Sequence, residues 1–275
     1  MKKKILIALD LEGVNLVAGK PYEALEKGCE EWEKARHQAA LEVNAAADAL
    51  FAAGAEKVAL WDNHGGGGNI VVEEIDPRVE IIYRDRTLPR MYFAPDFDAV
   101  CYFGYHAMEG TYGGVLAHTM SSKAVQHYKL NGKHIGEIDI DAFIAASHSV
   151  PSVFFAGGDI ACAQAKRAVP DIVTVETKKE ISRNKAVFRD NGELLSEIRE
   201  KIVKAVSKDV SYKTLAFPCT VEKSFKRMED AAAHIIHIES FGIKGEHPDD
   251  EILGKDAHTV VAVVRNIVEF IRFCV

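Results

Sequence analysis

Short apolar runs punctuate the first two thirds of the chain, at Ile5–Leu9, Val58–Trp61, Val79–Tyr83, Ala99–Phe103, Val153–Ala156 and Ile172–Val175. Runs of this length and continuity predict strands buried on both faces of a mostly parallel sheet. Helical stretches separate them, and the longest, Tyr22 to Ala53, is rich in Ala, Glu and Leu. Strand and helix therefore alternate, which predicts an α/β fold with helices flanking the sheet. One interruption breaks the alternation. VQHYKL and KHIGEI flank Asn131-Gly132, the strongest short-range signal for a two-residue β-hairpin, so an antiparallel ribbon is inserted there. Beyond Arg183 the pattern predicts a helix from about Gly192 to Ser207 and a strand around Thr214–Val221. A last helix is expected to carry Val260, Val261, Val263, Val264, Ile267, Val268 and Ile271 on one face. These elements form a smaller C-terminal α/β lobe, from about residue 186 to 275, beside a larger lobe over about 1–185. No composition shift marks a linker, so the chain is expected to form a single domain-sized unit.

Composition narrows the function class. With 275 residues, 48% of them hydrophobic, the chain can bury a core without staples. Its net charge of −7 opposes the phosphate neutralisation that drives nucleic-acid binding. The apolar stretch after the basic tip MKKK is broken by Asp10, too soon for a secretory or membrane-spanning segment, which points to the cytoplasm. Five cysteines at wide spacing offer neither a disulfide framework nor a zinc-finger spacing.

The candidate chemistry lies at the strand ends. The first strand runs into ALDLEGVN, where Asp10 and Glu12 stand two apart and face the same way if the strand continues through them. Alone, such a pair serves as well as a turn cap and a solvated acid. Other strand ends add ligand-type side chains. LWDNHGGGG places His64 after the second strand, with Asp62 available to orient it. CYFGYH places His106 past the fourth, VLAHTM places His118 twelve residues later, and HIGEIDI places Glu137 on the second arm of the hairpin. An unpaired acid in that apolar context would be costly. Three carboxylates and two imidazoles, one carboxylate able to bridge, make a shell suited to two zinc-like ions. The glycines 65–68 serve either as a mobile loop or as room for a substrate backbone.

DLEG at 10–13, DNH at 62–64, GYHA at 104–107, GVLAHT at 114–119, GE at 136–137, AGGD at 156–159 and KKEISR at 178–183 together resemble the zinc-dependent D-aminopeptidase family, first associated with bacterial dipeptide-transport operons. The resemblance spans most of the first 185 residues and is looser beyond. It implies Asp10 as a ligand bridging two zinc ions, Glu12 and His64 on one, His106 and Glu137 on the other, and His118 as the catalytic histidine, either nucleophile or general acid–base. It implies hydrolysis of the N-terminal residue of short peptides or amino-acid amides, D-configured in the family, inside a ring-like homo-oligomer.

Competing readings use fewer of these residues. An acid-x-acid opening also suits metal-dependent phosphoesterases, but leaves the histidines idle. A non-catalytic metal-binding scaffold would not demand His118. GEHPDDEILG at 245–254 resembles the zinc signature of a deacetylase family, yet follows rather than opens the fold, and is expected to be an exposed turn. His37, His127, His134, His148, His234, His237 and His258 are expected to be structural or solvated.

Overall fold

The first strand, β1 (Lys4–Leu9), is enclosed from its second residue on: Ile5, Leu6, Ile7 and Ala8 have no solvent exposure. In the computed structural model, which describes residues 1–20, 23–85, 87–243 and 254–275, it is followed by α1 (Glu30–Ala52), β2 (Lys57–Asp62), β3 (Glu80–Ile82) and β4 (Ala99–Tyr105). The hairpin β5 (Val125–Leu130) and β6 (Lys133–Ile135) comes next, then α2 (Glu137–Ser147), β7 (Ser152–Gly157), α3 (Asp159–Ala168) and β8 (Val173–Glu176). The chain ends with β9 (Lys178–Ser182), β10 (Lys185–Phe188), α4 (Asn191–Ser207), β11 (Cys219–Phe225), α5 (Met228–Glu239), β12 (Gly254–Asp256), β13 (Thr259–Val264) and α6 (Ile267–Cys274).

Six strands form one parallel sheet in the order β3-β2-β1-β4-β7-β8. These are the six apolar runs of the sequence, and α/β is the fold class observed. The strand order reverses direction between β1 and β4, and ligand sites in open α/β sheets form at the carboxyl ends of strands at such a switch point. Helices α1 and α4 pack on each other and on the sheet, while α2 and α3 pack together against β7 and its neighbours. A second, antiparallel sheet has the order β12-β13-β11-β5-β6. It joins the hairpin, whose Asn131 and Gly132 both take positive φ (48° and 78°) as the tight turn requires, to strands from the end of the chain. The antiparallel sheet thus draws its strands by contact rather than by order along the chain; β9 and β10 pair separately as a two-stranded ribbon, and α4 packs on the parallel sheet although it follows residue 185.

Four local expectations are corrected. Glu137 is not on a hairpin arm: β6 ends at Ile135, and Glu137 opens α2. Gly136 caps that helix, its N–H bonded to the Asp139 carboxylate at 2.8 Å, so the apolar run IDIDAFIA coils instead of extending. The segment Val260–Val264 is a strand, β13, in which Val260, Ala262 and Val264 are buried at period two; β-branched residues suit that pleated, half-buried surface. Only Ile267 onward is helical, started by Asn266, whose side chain accepts from Glu269 N–H at 3.0 Å. The strand placed at Thr214–Val221 begins later, at Cys219, directly after Pro218, a residue that cannot donate to a strand ladder. Helix α1 starts at Glu30, after Cys29, whose Sγ accepts from Trp32 N–H; Tyr22 lies outside the described residues. So does GEHPDDEILG, apart from Gly254 in β12. All five cysteines are free thiols, and Cys101, Cys162, Cys219 and Cys274 are buried.

Candidate metal centre

The carboxyl ends of β1, β2 and β4 deliver Asp10, His64 and His106 to one place. After Leu9 the chain leaves β1, yet Asp10 N–H still donates to Phe103 O at 2.8 Å and Gly13 N–H to Gly104 O at 2.6 Å. The DLEG turn is therefore fastened to the end of β4. The approach is so close that a Cβ on Gly104, which has φ +69°, would run into the Asp10 carbonyl; only glycine fits. Asp10 and Glu12 converge through this turn rather than through continuation of the strand.

From below, Lys178 holds the same turn. Its buried ammonium donates to the carbonyls of Glu12, Val14 and Val17, and the Thr177 hydroxyl donates to Gly13 O. Helix α1 contributes buried Glu42, whose Oε1 accepts from Asn15 N–H at 2.9 Å and from Gln38 at 3.1 Å.

The six residues singled out in the sequence meet at one cluster. His64 Nδ1 lies 2.8 Å from Asp10 Oδ1 and 3.1 Å from Glu12 Oε2. His106 Nε2 lies 3.5 Å from Asp10 Oδ2 and 3.4 Å from Glu137 Oε1. His118 Nε2 lies 3.9 Å from Glu12 Oε1 and 3.8 Å from Glu137 Oε1. The rings of His106 and His118 stack, with centroids 3.9 Å apart and planes 13° from parallel. Among the described residues, potential ligand atoms group as Asp10 with Glu12 and His64, Asp10 with His106 and Glu137, and Glu12 with His106 and His118. Asp10 belongs to two groups, with a different oxygen toward each histidine.

Hydrogen bonding fixes the imidazole tautomers. His106 Nδ1 meets Ala107 O and His118 Nδ1 meets Leu116 O, both at 2.9 Å; a carbonyl only accepts, so Nδ1 carries the proton in both neutral rings. Each Nε2 lone pair then faces the carboxylates, the arrangement in which a metal-ligating histidine is usually held. Among the described residues His106 Nε2 is buried without a hydrogen-bond partner, and such a nitrogen among acids is satisfied by a positive charge, either a proton or a metal cation. The donor set of imidazole nitrogens and carboxylate oxygens fits zinc.

The unbalanced charges perturb every group. Burial, and then the neighbouring Glu12 charge, push the Asp10 carboxyl up to about 7. Burial works against the Glu12 charge too, but His64 overrides it and holds that carboxyl well below its ordinary range. Burial opposes a charge on His106, yet the Glu137 carboxylate lifts it to about 10. His118 differs: burial, then the charge of His106, push it down, which favours a neutral ring.

The cluster opens into a cavity of about 1150 Å³. Its walls include Asn63, Gly65, Arg90, Met91, Leu116 and Met120 near the cluster, and Phe241 and Ile271 from the C-terminal part. Asp62, expected to orient His64, instead accepts from Asn69 N–H and Nδ2 at 2.8 and 2.9 Å. Asn69 in turn donates to His64 O, so the acid shapes the glycine loop and not the imidazole. Of the other histidines, His37 meets Glu74, His127 meets Glu222, and His234 is packed between Phe225 and Phe273.

Several contributors carry no ligand signature and are not found by reading for ligands: Met120 N–H, which donates to Glu137 Oε1 at 2.7 Å, Lys178, Glu42, and the buried set Asn63, Tyr105, Asp141 and Arg90. The usable signal is a charged residue inside an otherwise apolar run, as with Glu42 in ALEVNAAA and Asp141 in IDIDAFIA.

The sequence matches a family profile described as D-aminopeptidase over residues 3–242. A curated D-aminopeptidase of Bacillus subtilis strain 168 is 28% identical over 183 residues, which is 66% of this chain and 65% of that protein; the match thus spans somewhat under two thirds of the relative. The fold is also similar to a solved structure of Bacillus subtilis, the zinc-dependent D-aminopeptidase DppA, described as a self-compartmentalizing protease. The TM-score is 0.82, with 22% identity over 98% of this chain and 94% of that one.

Proposed function

The chain belongs to the D-aminopeptidase family, and on that premise we propose that it is a zinc-dependent aminopeptidase. It removes the N-terminal residue from short peptides or amino-acid amides, at a site that holds two ions. Asp10, Glu12 and His64 would hold one ion, and Asp10, His106 and Glu137 the other. The observation that carries this reading is the convergence of three acids and three histidines around a buried His106 Nε2 that has no hydrogen-bond partner.

Bound zinc would supply Lewis acidity toward the scissile carbonyl and charge to offset the three acids. The remaining work falls to side chains. His118, neutral and with Nε2 open toward the cluster, takes a proton from the attacking water and returns it to the leaving amine. Its contact with Leu116 O holds the ring in the tautomer this requires. Met120 N–H keeps the Glu137 carboxylate from rotating, and the stack of His118 on His106 fixes the approach of one ring by the other. Asp10, Glu12, His106 and Glu137 are themselves buried, and a low-dielectric surrounding strengthens their electrostatic contacts.

We place the protein in the cytoplasm as a ring-like homo-oligomer; among the described residues no helix is long and apolar enough to cross a membrane. The test is hydrolysis of aminoacyl p-nitroanilides of both hands, by protein stripped of metal and reloaded with zinc. Zinc-dependent release from a free-amine substrate is expected. Activity unaffected by chelation, or confined to phosphate esters, overturns the proposal.

A further inference from the structure

Asn63, the middle residue of the DNH motif, has no role in the reading above, yet it is 4% exposed and lines the cavity beside His64. Among the described residues its side chain makes one hydrogen bond, from Nδ2 to the Tyr105 hydroxyl at 2.9 Å, and its Oδ1 is buried without a partner. Which end of the amide faces Tyr105 follows from charge. Asp141, completely buried, is gripped by the Arg90 guanidinium at 2.5 and 2.7 Å. A carboxylate paired in this way is ionised and only accepts, so the Tyr105 hydroxyl must donate to it, and does at 2.7 Å. The hydroxyl then has only a lone pair left for Asn63, and that pair demands the amide nitrogen. Oδ1 is thereby turned away from Tyr105 as an acceptor lacking a donor.

A buried acceptor left unpaired costs free energy unless a ligand fills it. The four residues also have telling places: Asn63 adjoins His64, Tyr105 adjoins His106, Asp141 lies one turn beyond Glu137 on α2, and Arg90 adjoins the cavity wall at Met91. The chain of bonds ends within one residue of the ligands, at a side chain whose unused atom can only accept.

We propose that Asn63 Oδ1 accepts a hydrogen bond from the free amino group of the substrate's first residue, and that Arg90, Asp141 and Tyr105 are positioning residues that lock the amide in the accepting orientation. The assignment rests on the aminopeptidase reading and explains how such an enzyme would discriminate a free amine from a blocked one. A hydroxyl, an acyl group or a hydrogen in place of the amine would leave Oδ1 less well paired or unpaired, and the cost of a lost bond to a charged donor corresponds to roughly 10- to 100-fold.

Binding separates this claim from turnover. Zinc-loaded protein is titrated by calorimetry with 1-aminoethylphosphonate of each hand and with ethylphosphonate, which lacks only the amine. The wild type is expected to prefer one amino compound by roughly 10- to 100-fold, and Asn63→Ala to reduce that ratio to near one with zinc content unchanged. Tyr105→Phe, which frees the amide to turn, is expected to lower the ratio partway, and it carries the test if Asn63→Ala does not fold. An unchanged ratio in both variants, equal wild-type binding of amine and desamino compounds, or loss of zinc in Asn63→Ala overturns the role of Asn63. Wild type that binds no phosphonate at all overturns the aminopeptidase site together with it. An amine preference that persists without peptide hydrolysis overturns the proposed reaction and leaves Asn63 as an amine acceptor.

Discussion

Glu42→Gln is expected to stabilise the protein, and only above a definable pH. Glu42 is 1% exposed on α1, and among the described residues its Oε1 accepts two hydrogen bonds and its Oε2 none. Burial is the dominant influence and pushes its pKa from 4.5 up to about 7, against partial relief from Asn15 N–H, Gln38 and the charge of Lys178. The folded protein therefore holds this proton more tightly than the unfolded chain. Between 4.5 and about 7 the native state binds the extra proton, so stability falls as pH rises through that window. The burial cost is absent below it and complete above it. A shift of this size is equivalent to about 3 kcal/mol. The glutamine amide keeps the acceptor at Oε1 and removes the charge, but places unpaired N–H groups where Oε2 stood, at a cost of about 1 kcal/mol. The net expectation is a gain of about 2 kcal/mol at pH 8 and a loss of about 1 kcal/mol at pH 4.5. Urea unfolding of both proteins across pH 4.5 to 8 measures it, since groups other than Glu42 cancel in the difference. A difference that does not change with pH would refute the assignment of a strained, buried charge to this residue.

Asp10→Ala should lower zinc content more than Glu12→Ala or Glu137→Ala, because Asp10 presents one oxygen to His64 and the other to His106, a histidine of each proposed ion; elemental analysis after gel filtration reads this directly. His118→Ala should retain metal but lose kcat by roughly two to four orders of magnitude, the range for a general acid–base group; loss of zinc in parallel would reassign His118 as a ligand. Lys178→Met strips the donor from three buried carbonyls, and after allowance for the ammonium no longer being buried it should cost about 2–4 kcal/mol. It should also weaken zinc binding through the loosened Glu12 turn, which chelator competition would detect.

The apolar runs alone determined the parallel sheet, because a strand with both faces covered must be apolar at consecutive positions, and Ile5–Leu9 or Val153–Ala156 can satisfy no other environment. Asn131-Gly132 likewise specified its turn locally, through the positive φ both residues accept. The six cluster residues were legible as residue types, four of them (Asp10, Glu12, His64 and His106) just past strand ends, and their resemblance to a family ordered them. Their grouping was legible only through that resemblance, since physically it depends on β1 lying between β2 and β4 in space, an order that no local pattern encodes. Tertiary contact also overrode local pattern where the two conflicted. Val260–Val264 fits a helical stripe and a pleated strand equally well, and pairing with β11 decided for the strand. Glu137 entered a helix because Gly136 and Asp139 close its first turn. The supports of the site, Lys178 beneath Glu12 and Arg90 and Tyr105 on Asp141, join residues 36 to 166 positions apart. A lone charge in a sequence says only that burying it would be costly; the partner that offsets the cost exists only once the chain has folded.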